Sequence, residues 1–172
     1  MKSEILTVSG NYFNFLDPDN SVYTVNDIAH SLSHINRFTG HTRIAYSVAQ
    51  HAVLVSYLVP PEHALAALHH DDSEAFLGDV SSPLKQMLPE YKVIEERVER
   101  AIFAKFGIPF PLHPCIKHAD LIMLVSEMHS LMPSGIILDG ITPLEAKIKP
   151  WTSKVAKAKF IARHYELTKE NV

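Results

Sequence analysis

Cysteine, membrane-length apolar runs and an excess of one charge sign are what this 172-residue sequence lacks. The lone Cys115 excludes an internal disulfide and suits a reducing cytoplasm. No apolar stretch reaches the roughly 18 residues that a membrane span needs. Met1-Lys2-Ser3-Glu4 leads into a short alternating run rather than the apolar block of a signal peptide. A formal net charge of −3 argues against a nucleic-acid polymer as partner, because phosphate-backbone binders usually show a basic face. A small phosphorylated ligand remains allowed, since it needs only two or three well-placed cations. There is no internal repeat, low-complexity tract or composition break. The length therefore suits one domain, 1–172, that buries roughly two-thirds of its unfolded surface and needs no metal to stay folded. What is plentiful is histidine, with eleven residues, the commonest metal ligand and the side chain that titrates nearest neutral pH.

The pattern along the chain predicts an all-α bundle with a small N-terminal β-hairpin at about residues 5–16. Ile5 to Phe15 alternates apolar and polar around Ser9-Gly10-Asn11. Thr24 with Asp27 forms a capping box, Asp replacing Glu, that opens a helix through Ile28, Ala29 and Leu32 to about Asn36. A loop follows from Arg37 to His41. A second helix, from about Ile44 or Ser47 to Leu58, carries His51 among Val48, Ala52 and Val55. A third, after Pro61, is expected to carry His70-Asp71 near its C-terminal end. Ser81-Ser82-Pro83 reads as a cap and first turn. Tyr91, Ile94, Val98, Ala101 and Ile102 recur at helical spacing after Pro89, and Phe106-Gly107 ends that helix. The segment Ile108 to Pro114 connects to a helix from about Cys115 to Leu131, which carries Asp120. A loop from Pro133 to Pro150 precedes the last helix, about Ser153 to Leu167.

His51, His70, Asp71 and Asp120 make a two-His, two-Asp ligand set for one divalent metal ion. Imidazoles and carboxylates together suit Mn, Co, Zn, Ni, Fe or Mg and leave positions open for water and substrate. Such a site serves Lewis-acid hydrolysis, lowering the pKa of water and engaging a phosphoryl oxygen. Glu74 lies four residues after His70 and three after Asp71, so a continuing helix would place it on the same face, able to hold or deprotonate the attacking water. Asp79, after Gly78 at a turn, can reach back toward that water or a substrate hydroxyl. Asp72 and His69 flank the pair, but the spacing to Glu74 and Asp79 favours His70-Asp71 as the ligands.

These residues resemble the HD-domain metal-dependent phosphohydrolases, with the motif H…HD…D falling on His51, His70-Asp71 and Asp120. The run His70-Asp71-Asp72-Ser73-Glu74, followed by Gly78-Asp79 and Pro83-Leu84-Lys85, is similar to short HD enzymes acting as 5′-deoxynucleotidases. That same group is similar to small phage and bacterial enzymes that remove the whole triphosphate from a deoxynucleotide such as dATP. The resemblance covers about Ile28 to Leu131. It implies a helical HD fold around one metal, hydrolysis at the α-phosphorus, release of a nucleoside, and a cytoplasmic bacterial or phage-encoded protein. Glu74 and Asp79 would take the catalytic and substrate-selecting roles. Arg37-Phe38 is similar to the group's Arg-Trp pair that contacts the nucleotide, Phe for Trp being a departure that bears on base and sugar preference. Lys85 and Lys117 are added candidates for phosphate neutralisation, and His41 for the substrate loop. Small HD enzymes commonly self-associate, which makes a homo-oligomer the expectation, with the helix from Pro89 to Phe106 as a plausible surface. Mono- and triphosphate substrates both fit the ligand set. A nucleotide sensor or structural metalloprotein would keep the ligands and lose Glu74 or Asp79, and both are present. An iron oxygenase of this fold would need two further His between the HD pair and Asp120. Only His113 and His118 lie there, side by side with Asp120, so one metal is expected.

Overall fold

A computed structural model describes residues 3–169; Met1, Lys2 and residues 170–172 lie outside the described residues. The chain folds as a mostly helical domain with one antiparallel hairpin, as the hydrophobic periodicity predicts. Strands β1 (Glu4–Leu6) and β2 (Tyr12–Asn14) pair with Ile5 opposite Phe13. Two three-residue strands are unstable alone, so the hairpin depends on what it packs against. Phe13 is fully buried, stacked face to face on Phe76 with centroids 3.8 Å apart and edge-on to Tyr23. The Ser9 amide donates to Asp27 at 3.0 Å, fastening the hairpin to the first helix.

Helix α1 (Val25–His34) opens with the expected capping box: Thr24 and Asp27 satisfy each other's backbone amides. Helix α2 (Val48–Val55) is the centre of the bundle. Seven of its eight residues are buried, His51 among them. Both flanks of the intervening loop are pinned by backbone bonds between Arg37 and Tyr46 and between Val48 and Ile35, which sets Arg37 beside the start of α2. Then come α3 (Ala64–Leu68), α4 (Glu74–Leu77), α5 (Ser82–Lys85), α6 (Pro89–Phe106), α7 (Pro114–Leu131) and α8 (Ser153–Lys169). Helix α8 packs across α1, α2 and α3, and α7 lies against α2. The long connector before α8 is tied to the centre through Gln50, whose side chain donates to the Lys149 carbonyl and accepts from the Trp151 amide. No described helix is long and apolar enough to cross a membrane.

One expected element needs correction. The third helix does not carry through His70-Asp71; it stops at Leu68, and residues 69–73 form successive turns before α4 begins at Glu74. Bonds of the i to i+3 kind from Asp72 to His69 and from Glu74 to Asp71 replace the helical ladder. His69 turns into the core, where it meets His164 of α8 and binds the side chain of Asp72 three residues on, which favours this tighter winding.

Candidate metal centre

Three elements converge on His51. Its imidazole, fully buried on α2, donates Nδ1–H to Glu127 Oε1 at 2.6 Å. That bond places a proton on Nδ1 and leaves Nε2 facing inward. Nε2 lies 3.3 Å from Asp120 Oδ1 on α7 and 3.6 Å from Asp71 Oδ2 in the turn after α3. His70 is arranged the same way: Nδ1–H donates to the Ala67 carbonyl at 2.8 Å, and Nε2 is 3.2 Å from Asp71 Oδ2. Ligand atoms of His51, His70 and Asp120 all lie within 4.8 Å of one another. Both Nε2 atoms are buried and have no hydrogen-bond partner. Two orphaned imidazole nitrogens aimed at a point flanked by two carboxylates fit a divalent cation. A structural core would have filled them with donors.

Glu127 organises the back of this group, and the sequence reading missed it. Fully buried on α7, it accepts from His51, from Tyr46 Oη at 2.9 Å and from Arg37 Nε at 2.9 Å. It stands seven residues after Asp120, two turns along one helix face, and that spacing was the available signal. Burial opposes its ionisation, but Arg37 and His51 hold the carboxyl below its usual range. Burial and Arg37 likewise oppose charge on His51, yet the Glu127 and Asp120 carboxylates push it up to about 9. Asp120 is held well below the ordinary carboxylate range by His51, His70 and Arg37 against the effect of burial. The Glu127 and Asp120 carboxylates that raise His51 would likewise favour a cation there.

In front of the group lies a cleft of about 480 Å³, with Asp71 and Asp120 in its floor and Arg37, Glu74, Asp79 and Lys85 among its walls. Glu74 reaches it from the start of α4 rather than from a continued third helix. It is 6% exposed, and its Oε2 has no partner. Burial, then Asp71 and Asp79, raise its carboxyl well above the usual value. Asp79 is also raised by burial, with Asp71 adding to it. It follows Gly78, whose φ of +80° and extended ψ suit only glycine and turn the chain from α4 into the cleft wall. Lys85 is paired with Glu95 and lies 4.0 Å from Glu74, and burial notwithstanding, Glu95 holds it charged. Lys117 binds Asp120 at 2.7 Å from a largely solvent-exposed position.

Arg37 lies in the wall beside Asp71, 3.7 Å away. Phe38 and Thr39 follow with φ of +56° and +53°, the left-handed region. For a non-glycine residue this costs about 1–3 kcal/mol each, and such strain concentrates at ligand clamps. Both side chains line the cleft, with Phe38 5.5 Å from the Arg37 guanidinium. His41, expected in the substrate loop, is exposed and is not among the residues lining the cleft. The 3-10 turn of Arg37–Gly40 ends before it and directs it outward. The other eight candidates line the cleft in front of the two imidazoles.

No family model matches the chain. It is 42% identical over 171 residues to the uncharacterized protein YfdR of Escherichia coli K12, covering 96% of each chain. It is 30% identical over 187 residues to the uncharacterized protein RCAP_rcc00048 of Rhodobacter capsulatus, covering 93% of each. Likeness at this level over nearly the whole length makes the chain a member of the bacterial family that includes YfdR.

Proposed function

We propose that the protein is an HD-type, metal-dependent phosphohydrolase that cleaves the 5′-phosphoester of deoxynucleoside monophosphates in the cytoplasm, releasing nucleoside and phosphate. The observation that carries this reading is the pair of orphaned, buried Nε2 atoms of His51 and His70 between Asp71 and Asp120 at the floor of an open cleft. When bound, a divalent ion supplies Lewis acidity, polarising a phosphoryl oxygen and acidifying water. Glu74, its Oε2 unpartnered, is placed to hold the attacking water and take its proton, and a raised carboxyl pKa suits that exchange near neutral pH. Arg37 and Lys85 face the phosphate oxygens, and Asp79 faces the sugar side of the cleft. Phe38 offers an aromatic face for the base.

Charge favours a monophosphate. The cleft is lined by four carboxylates, Asp71, Glu74, Asp79 and Asp120, against three cations, Arg37, Lys85 and Lys117. Each of the cations is already paired. With every cation already paired, none is left over to offset the added charge of a triphosphate, so a phosphate dianion is the better match for a single divalent ion. Chromatography of products from dAMP and dATP side by side, with His70→Ala as control, tests the reading. Deoxyadenosine and phosphate from dAMP are expected. Deoxyadenosine with intact tripolyphosphate from dATP alone would make it a triphosphohydrolase instead. No product across bases and metals would leave a nucleotide sensor.

A further inference from the structure

Away from the cleft a second group of donors comes together. His63 closes the 3-10 turn before α3, His113 caps the N-terminus of α7, and Cys115 is the second residue of that helix. One ligand atom from each lies within 4.8 Å of the others. The rings of His63 and His113 are stacked with centroids 4.2 Å apart and planes 11° from parallel, so one ring must turn for both to direct a nitrogen at a shared ion. Two segments about fifty residues apart thus meet through imidazoles. The Cys115 amide donates a long bond of 3.3 Å to His113 Nδ1, which holds the His113 ring at the start of the helix. His113 is exposed and the other two are half-buried, so an ion can enter directly from solvent.

We propose that His63, His113 and Cys115 form a second metal site, for a thiophilic borderline ion such as zinc, with its fourth position open to solvent. Two imidazoles and a thiolate are a softer donor set than the carboxylate-rich one in the cleft, and they select zinc over manganese or magnesium. Binding releases the thiol proton to solvent and replaces the long cap bond of His113. The location gives the ion a structural task. Helix α3 begins beside His63 and ends just before His70-Asp71, while α7 runs from beside Cys115 through Asp120. An ion held by all three side chains clasps the leading ends of the two elements that present the cleft ligands. This inference does not depend on the reaction assigned to the cleft.

Cys115 is the chain's single cysteine, so any thiolate-to-metal charge-transfer absorption reports on it alone. The metal-stripped, full-length protein is titrated with Co(II) and followed in the near ultraviolet. A charge-transfer band whose amplitude corresponds to one thiolate-bound ion per chain is expected, cobalt taken up by the thiolate-free cleft adding none. It should be absent in Cys115→Ser and should require at least about tenfold more cobalt in His63→Ala or His113→Ala. Zinc should abolish the band. No band at millimolar cobalt would overturn the site. So would a band of unchanged affinity in both histidine variants, which would mark an isolated thiol, or a band that strengthens with protein concentration, which would mark cysteines bridged between chains.

Discussion

His69-Asp72 and His70-Asp71 are pairs of the same two residue types on one five-residue turn, yet they face opposite ways. His69 points into the core, where both ring nitrogens are matched: Nδ1–H donates to Asp72, and Nε2 accepts from Nδ1–H of His164 at 2.9 Å. Phe106 stacks on its ring and Phe160 meets it edge-on. Asp72 retains one oxygen without a partner, and burial raises its pKa. His70 points to the cleft with only its Nδ1 matched, and its Nε2 joins that of His51 without a partner. What separates a core histidine from a ligand is therefore the second nitrogen. Where the fold supplies a partner the residue is structural, and where it withholds one the residue is reserved for something from outside.

Exchanging the roles of the two pairs should have the largest effects. His70→Ala should lower kcat/KM by roughly 10³-fold or more, about 4 kcal/mol of transition-state stabilisation, with little change in the melting temperature of the metal-free protein. His69→Ala should do the reverse, costing about 3–5 kcal/mol of stability because it strands Asp72 in the core. Metal content and turnover per folded molecule should be kept. Thermal denaturation alongside steady-state kinetics separates the two.

Glu74→Gln keeps shape and removes the proton acceptor, so kcat should fall roughly 10²–10⁴-fold while metal binding persists, measured as metal content against rate. Glu127→Gln touches the ligand face from behind. It weakens the hold on His51 Nδ1 and leaves Arg37 without its buried partner, so metal affinity should drop about 10–100-fold in a calorimetric titration.

The smallest effect belongs to the core face and depends on pH. Burial and the neighbouring His69 lower the His164 pKa to about 4, from 6.5 for an unperturbed histidine. As pH falls through 6.5 the unfolded chain takes up a proton that the folded chain refuses until about 4. The folded state therefore loses stability over that window, on the order of 2 kcal/mol. Denaturant unfolding of the native chain and His164→Asn between pH 7 and pH 4 should show a shallower slope for the variant.

The boundary between what was legible and what was not follows the range of the forces involved. The hairpin, the Thr24 capping box and the helices from Pro89 onward come from neighbours a few residues apart, and they stand as the periodicity predicts. His51, His70, Asp71 and Asp120 were legible as a candidate set because an adjacent His-Asp pair is a compact signal once His51 and Asp120 frame it, and the fold brings the four side chains together. The break after Leu68 was hidden, because it is caused by His69 choosing Asp72 and the distant His164 over a helical continuation. Glu127 was overlooked although its place seven residues after Asp120 put it on the same face. The left-handed Phe38 and Thr39 carry no glycine to announce them, and His41 fell outside the cleft once that turn closed early.

Anomalous diffraction from a crystal soaked in manganese tests the metal site at the floor of the cleft most directly. An anomalous peak bonded to both His51 Nε2 and His70 Nε2 is expected, with Asp71 and Asp120 completing its protein ligands. A peak elsewhere, or no peak with the two Nε2 atoms hydrogen-bonded to ordered water, would contradict it.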